Sequence, residues 1–456
     1  MSLGFRDKTI YVYGLGRSGQ AAIHALLEDG AHVWAWDDRE NTLSADLNSS
    51  TNLLRVAPEE VDWSQVSAVL KSPGIDADRP LLQTAVQHSI PILGDIDLLY
   101  RCAPSASYIG ITGTNGKSTT TALVTHVLRC AGHNVVAGGN IGQPALSLPI
   151  LEKDDIYVLE LSSYQLDLMA ETKLDAATLL NISPDHLERY NGMSGYLASK
   201  MHIFDCCKES ATKVIGVDHP LLQTAAQQNT KDSVETLTIS GQQANYRVTQ
   251  QGKLMHKGKQ IADLSYFDNL AGPHNWQNLV AALLICAPWM SKDDFFKHAR
   301  TFVGLPHRME RVQELEDIIF INDSKATNPE SAIAALQSYK NIYWIVGGRA
   351  KAEGIAPCLE HTSNVRAAFT IGEAQQNFAE VLEEKMPVFC CESLDIAVRE
   401  AYAAARQEGL EDATVLLSPA CASFDQYDSF EQRGDAFAVL CRQLQIGFHT
   451  ERDVSA

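Results

Sequence analysis

Short apolar runs that end in a polar or glycine-containing turn, each followed by a stretch of helical length, recur along this chain. That rhythm limits the fold more than any other feature. A run buried on both faces and separated from the next by a helix reads as a strand of a parallel sheet with helices packed over it. "TIYVYGLG", "HVWAWDD", "AVLKSPGI" and "PILGDID" form a first series. "SYIGITGTNGKS", "NVVAGGNIG", "IYVLELSS", "AATLLNIS" and "KVIGVD" form a second, and "IIFINDSK", "IYWIVGG", "AAFTIGE", "PVFCCES" and "TVLLSPACAS" a third. Between these last two, residues 235–267 carry short alternating segments parted by Gly turns, the pattern of antiparallel strands added at one side. "NWQNLVAALLICA" has the length and apolar face of a helix.

The expected architecture is α/β in three domains. A Rossmann-like domain covers residues 1–97, a central P-loop-type ATPase domain with added antiparallel strands covers 98–304, and a Rossmann-like C-terminal domain covers 305–456. A length of 456 residues agrees with that count at roughly 150 per domain.

A net charge of -19 argues against a general nucleic-acid or bilayer-surface binder, which needs a basic face. Phosphates can still be held by local Lys, Arg and backbone N–H groups. The ten cysteines include the neighbours Cys206–Cys207 and Cys390–Cys391 but no C-x-x-C, so they form neither a disulfide framework nor a zinc pattern. "MSLGFRDKTI" has no apolar signal core, and runs such as "LVAALLICA" are too short to span a bilayer. A cytoplasmic monomer without membrane insertion is expected.

In "GITGTNGKST", Gly113 and Gly116 let the backbone amides from Thr114 to Thr119 approach an anion, and Lys117 adds a positive charge. Ser118 offers a hydroxyl to Mg²⁺, and Asn115 completes a "GTNGKS" core after an apolar strand, which points to ATP. The strict Walker pattern is not met, because Ile111 occupies its first Gly position. Glu160, Asp185 and His186 sit at other strand ends of the same series, where Glu160 and His186 suit Mg²⁺ or Mn²⁺. "YVYGLGRSGQ" spaces Gly14, Gly16 and Gly19 as a dinucleotide turn, with Asp37 ending the next strand. On its own this suggests a nicotinamide cofactor, although such a turn attracts any diphosphate.

"GTNGKST", "ELSSYQ", "NISPDHLERY", the Lys of "YLASKMHIF", "GPHNWQN", "GLPHRME" and "NDSKATNPES" together resemble the successive signatures of the Mur ligases, in order and across all three expected domains. The resemblance implies an ATP-dependent amide ligase of cell-wall precursor synthesis, with the UDP part of a sugar substrate on the first domain and ATP on the second. "LSPACASFDQYDSFEQRGDAF" is most similar to members that join D-glutamate to UDP-N-acetylmuramoyl-L-alanine. The implied chemistry is attack of the substrate carboxylate on the γ-phosphate, then capture of the acyl phosphate by the amine of D-glutamate.

By the same resemblance Lys117 would contact the β- and γ-phosphates, Ser118 and Glu160 one Mg²⁺, and His186 and Lys200 a second, with Lys200 carbamylated because an ammonium cannot ligate a metal. Asn140, Ser162, Gln165 and His186 would face the muramoyl-alanyl portion. Arg17, Ser18, Asp37, Asp38, Arg39 and the turn from Ser72 to Gly74 would contact UDP. Asn275 and Asn278 would approach adenine or ribose, Arg308 the ATP phosphates and Asp323 the ribose, while Lys325 and Thr327 turn toward the substrates. Lys351, Thr327, Ser423 and the backbone around Phe424 and Phe430 would take D-glutamate. Where some relatives carry an acidic residue after the paired glycines, this chain has Arg349, an additional cation that suits a dianionic amino acid. Domain closure is expected to precede reaction and to keep water from the acyl phosphate.

Overall fold

The computed structural model describes residues 3–38, 43, 47, 50–185, 187–228, 234–270, 272–351 and 354–453. The chain divides into two compact units, Met1–Phe267 with Asn275–Phe302, and Asp268–His274 with Val303–Ala456. The first unit contains two sheets and the second unit one.

The first sheet is all parallel: β1 (Thr9–Tyr13), β2 (His32–Trp36), β3 (Leu53–Arg55), β4 (Val66–Lys71) and β5 (Ile92–Leu93), in the order β3-β2-β1-β4-β5. The chain builds outward from β1 in one direction and then returns to add β4 on its other side. A crevice therefore opens at the carboxyl ends of β1 and β4, where ligands of such sheets bind. Alternation along β1 divides the packing: Tyr11 and Tyr13 face one apolar cluster, Ile10 and Val12 the other.

The second sheet comprises β6 (Ser107–Thr112), β7 (Val135–Gly139), β8 (Ile156–Glu160), β9 (Leu174–Leu179), β10 (Cys207–Gly216), β11 (Val234–Thr238), β12 (Tyr246–Val248), β13 (Lys253–His256) and β14 (Lys259–Asp263). Its order is β14-β13-β12-β11-β10-β9-β6-β8-β7. The expected antiparallel addition begins later than residue 235, because β11 pairs parallel to β10 and β12 parallel to β11; only the pairs β12–β13 and β13–β14 are antiparallel. For β11 the reason is the helix Pro220–Gln228, a crossover that returns the chain to the same edge in the same direction.

The third sheet holds β15 (Glu310–Leu315), β16 (Ile318–Asn322), β17 (Ile342–Gly347), β18 (Val365–Ile371), β19 (Val388–Glu392) and β20 (Thr414–Leu417), ordered β15-β16-β20-β17-β18-β19. All pairs are parallel except β15 with β16. Both faces are covered: Tyr343 and Ile345 pack into one cluster, Trp344 and Val346 into the other. All ten cysteines are free thiols. Among the described residues no helix is long and apolar enough to cross a membrane.

Candidate active site

At the end of β1 the chain turns through Gly14 and Gly16 into the helix Arg17–Glu28. Gly14 has φ of 96°, and a Cβ there would meet that of Ser72 at 2.7 Å, so the turn needs glycine for conformation and for space. Ser72 Oγ donates to the Gly14 carbonyl at 2.7 Å, pinning β4 to the turn. Asp37, buried at the end of β2, accepts the Leu15 N–H at 2.7 Å. Asp38 accepts the Tyr13 hydroxyl at 2.9 Å and lies 3.4 Å from the Arg79 guanidinium.

These groups border a cleft of about 660 Å³ that also takes in Asn140, Ser162 and Gln165 from the second sheet. Gly14, Gly16, Arg17, Ser18, Asp37, Asp38, Ser72 and Gly74 thus line one cleft. Arg39 lies outside the described residues. Ser162 and Gln165 also cap the helix Ser163–Leu166, since Ser162 Oγ accepts the Gln165 N–H at 3.3 Å and Gln165 Oε1 accepts the Ser162 N–H at 3.2 Å. Arg17 donates to the Gly142 carbonyl at 2.5 Å, which joins the first helix to the loop after β7.

Sequence reasoning missed Arg79 and Tyr164 in this cleft, and Arg189, which packs 4.0 Å from the Tyr164 ring centre. The Arg189 guanidinium donates to the carbonyls of Pro73 and Ile75 at 3.2 and 2.9 Å, fixing the "SPG" turn. An Arg in an otherwise recognised stretch, "NISPDHLERY", was the available signal.

In the second sheet the phosphate-type loop runs from β6 into the helix Lys117–Cys130. Gly113 has φ of 150° and Gly116 φ of 83°. Lys117 Nζ folds back on the carbonyls of Gly113 and Thr114, both at 2.8 Å. Register places Ile111 beside Glu160 and Thr112 beside Leu179, so the ends of β6, β8 and β9 converge. Asn140 Nδ2 donates to Glu160 Oε1 at 2.9 Å, whereas Glu160 Oε2 is buried without a hydrogen-bond partner. A buried carboxylate oxygen left in this state is costly unless a cation completes it.

Lys200, on the helix Met193–Asp205, is 1% exposed and reaches the same Gly113 carbonyl at 3.1 Å. Burial, and then the nearby Lys117 charge, hold its amine well below the ordinary lysine range; Asp185, Asp167 and Glu160 pull the other way and lose. Buried Ser118 and the orphaned Glu160 oxygen are oxygen donors of the kind a hard divalent cation takes. His186 lies outside the described residues, among which no cluster of three His, Cys, Asp or Glu is poised for a metal. Asn275 and Asn278 share a face of the helix Pro273–Ile285, with Asn278 Nδ2 donating to Asn275 Oδ1 at 3.3 Å. Asn278 Oδ1 is buried, has no partner, and faces Gly116 so closely that a Cβ there would strike it.

In the second unit Asp323 follows β16 and is buried, accepting the Ser418 hydroxyl at 2.8 Å and the Met309 N–H at 3.2 Å. Burial pushes its carboxyl up to about 7 against the opposing pull of Ser418 and Arg308. His307 and Met309, on either side of Arg308, have φ of 60° and 45°, strained values for such residues. Lys325 Nζ lies 5.5 Å from the Phe430 ring centre. Ser423 is buried, Thr327 half-buried, Lys351 exposed, and Phe424 62% exposed.

The Arg349 guanidinium is paired with Glu373 at 2.8 Å on the surface. Arg433 does more and was missed. It is 1% exposed and donates to Ser324 Oγ, Ser324 O and Cys421 O at 3.0, 2.9 and 3.0 Å, tying the segment after β16 to the one after β20.

Three family models match the chain: Mur ligase MurD-like N-terminal domain over residues 8–94, Mur ligase middle domain over 111–286, and Mur ligase glutamate ligase domain over 307–421. A UDP-N-acetylmuramoylalanine--D-glutamate ligase from Caulobacter sp. (strain K31) is 42% identical over 97% of each chain. One of the same description from Paramagnetospirillum magneticum is 40% identical over 97% of this chain and 98% of its own. Among solved structures, the UDP-N-acetylmuramate-alanine ligase of Thermotoga maritima superposes with a TM-score of 0.59 at 17% identity, covering 96% of this chain and 99% of that one, a likeness of fold. With relatives of this identity along nearly its whole length, the chain belongs to the Mur ligase family.

Proposed function

We propose that this chain joins D-glutamate to UDP-N-acetylmuramoyl-L-alanine, converting ATP to ADP and phosphate, as a monomer in the cytoplasmic synthesis of peptidoglycan precursor. The observation that carries this reading is the convergence of two lysines, Lys117 and Lys200, on one carbonyl of a phosphate-type loop. Beside it stands a carboxylate that Asn140 links to the 660 Å³ cleft of the first sheet. Three domains meeting near residues 97 and 305 divide the substrates: the first holds UDP, the central one ATP, and the last the amino acid.

In the first step an oxygen of the alanyl carboxylate attacks the γ-phosphorus and the bond to the β-bridging oxygen breaks, leaving ADP and an acyl phosphate. Two anions must meet there, so Lys117 and the amides from Gly113 to Thr119 bear on the phosphates while Asn140, Ser162 and Gln165 orient the muramoyl-alanyl end. In the second step the neutral amine of D-glutamate attacks the acyl carbon, phosphate leaves, and the amine loses its proton. Thr327, Lys351, Ser423 and the backbone near Phe424 and Phe430 would hold the two carboxylates of D-glutamate. Arg308, Asp323 and Lys325, with Asn275 and Asn278, would serve the nucleotide.

Mg²⁺, with Mn²⁺ as a substitute, would be held by Ser118, Glu160, His186 and Lys200 and would screen the negative charge gathered at the γ-phosphate. For Lys200 to serve, its un-ionised Nζ attacks the carbon of CO₂, an N–C bond forms and a proton is released, leaving a carbamate oxygen donor. The depressed amine supports this, because an ammonium has no lone pair for that bond. Protein equilibrated with ¹³CO₂ should show one carbamate resonance by NMR that is missing in Lys200→Ala; its absence from wild type overturns this part. The test of the whole is phosphate release from ATP with UDP-N-acetylmuramoyl-L-alanine and, in turn, D-glutamate, L-glutamate, L-lysine or meso-diaminopimelate. Release with D-glutamate alone is expected, and no release with it overturns the reading.

A further inference from the structure

A chain of amides behind the phosphate-type loop ends on a single carboxylate. The Asn181 side chain grips Asn115 at both backbone groups: Oδ1 accepts the Asn115 N–H at 2.9 Å, and Nδ2 donates to the Asn115 carbonyl at 3.1 Å. Asn181 Nδ2 also donates to Gln277 Oε1 at 3.0 Å. Gln277 is buried on the helix that carries Asn275 and Asn278, and its Nε2 donates to Asp218 Oδ2 at 2.8 Å. Asp218 is itself fixed, since its Oδ1 accepts from Thr238 Oγ1, Ile239 N, Ser240 N and Ser240 Oγ at 2.7 to 2.9 Å. Gly216 leaves the needed room, because a Cβ there would come within 3.1 Å of Gln277 Nε2 and would strike the Leu180 carbonyl.

An amide has a donor end and an acceptor end, and either can be turned toward a neighbour unless something fixes the direction. An ionised carboxylate only accepts. Asp218 therefore compels Gln277 to present its NH₂, which leaves the Gln277 carbonyl for Asn181. Asn181 must then offer its NH₂ that way and its carbonyl to the Asn115 N–H. We infer that Gln277 and Asp218 are positioning residues for nucleotide binding, forming a directional relay that holds the phosphate-type loop in register with the Asn275–Asn278 face. This rests on the proposal that residues 113–119 hold the ATP phosphates. None of Asn181, Gln277 or Asp218 need touch the nucleotide.

The test is calorimetric binding of Mg-ADP and of UDP-N-acetylmuramoyl-L-alanine to the full chain, with KM for ATP and kcat alongside. Gln277→Glu sets two carboxylates face to face and should weaken ADP binding about 10-fold, raising KM for ATP more than it lowers kcat, with UDP-sugar binding within about twofold of wild type. Asp218→Asn alone should weaken ADP binding to a similar degree, because its carbonyl oxygen stays with the Ile239 and Ser240 N–H groups and its NH₂ is turned toward that of Gln277. The double variant Asp218→Asn with Gln277→Glu restores a donor facing an acceptor and should recover most of the loss, which a merely space-filling role does not predict. Should Gln277→Glu fail to fold, Asp218→Asn and the double variant still decide: equal ADP affinity to wild type in the first and no gain of folding in the second overturns the relay. Wild-type protein that does not bind ADP overturns the nucleotide reading and the relay with it. Wild-type binding with unchanged affinity in Gln277→Glu, or no recovery in the double variant, overturns the relay alone.

Discussion

The turns after β1 and after β6 are built on one plan, a parallel strand running through glycines into a helix, yet their surroundings differ in charge. Behind the first turn stands a carboxylate, Asp37, which occupies the Leu15 N–H, and the first helical residue, Arg17, reaches away to the Gly142 carbonyl. Behind the second stand two amines, Lys117 and Lys200, both bonded to the Gly113 carbonyl. Glycine spacing thus specifies where an anion can approach. The groups placed around the turn decide how much negative charge is welcome and whether a phosphoryl group is merely held or transferred.

Lys117→Ala should break the comparison most severely. ATP turnover is expected to fall by about 10³-fold or more, with UDP binding in the first cleft unchanged within about twofold, as read by phosphate release and by calorimetry. Parallel losses in both readouts would mean that the two turns are not separate sites. Gly19→Ala comes next. A Cβ there would run into the Gly14 carbonyl, whereas one at Gly16 meets nothing within 4 Å. Gly19→Ala should cost about 3 kcal/mol or prevent folding, and Gly16→Ala should fold normally and weaken UDP binding by only a few-fold, measured by thermal unfolding and titration.

A pH effect distinguishes the strand-end aspartates. With its carboxyl raised to about 7, folded Asp323 keeps a proton that the unfolded chain has already released above about 4. The folded state then binds more protons than the unfolded one across that interval, so stability falls as pH rises from about 4 to about 7. Asp323→Asn should match wild type near pH 4 and exceed it at pH 7.5, as read by hydrogen exchange on β16 and β20. An unchanged slope would show that Asp323 is not the group responsible.

Much of this was legible in the sequence for a physical reason. Strands β6, β8 and β9 are apolar on both faces and end at glycine or a polar turn, so local pattern and burial agree and the strand-end residues of the site follow. The hairpin β15–β16 was hidden because its turn, Glu316–Asp317, takes φ of 50° and 66° without glycine or asparagine to announce it. Nor did local pattern expose the groups that orient others. Arg433 meets Ser324 across 109 residues of sequence, and Asn181 meets Gln277 across 96. A polar residue on an otherwise apolar helix looks the same whether it is a surface position or a buried partner for a distant carbonyl; only the tertiary structure separates them.

The smallest expected effect tests the sharpest point of the comparison, whether Asp37 binds nucleotide or only shapes the turn. One of its oxygens is spent on the Leu15 N–H, and the residue is 4% exposed. In an Asp37→Asn variant the amide oxygen can still accept that N–H, so the turn survives, while one negative charge near the incoming diphosphate is removed. If shaping is the role, UDP affinity should shift by less than about threefold, toward tighter binding, and the gain should shrink as salt is raised because the removed repulsion is screened. If a ribose hydroxyl donates to Asp37, the variant offers it an NH₂ in place of an acceptor; binding then weakens about tenfold, and 2′-deoxy-UDP abolishes the difference between the proteins when the 2′-hydroxyl is the donor. Titration of both ligands against both proteins at two salt concentrations separates the outcomes, and a tenfold loss would move Asp37 from the frame of the first turn into its binding surface.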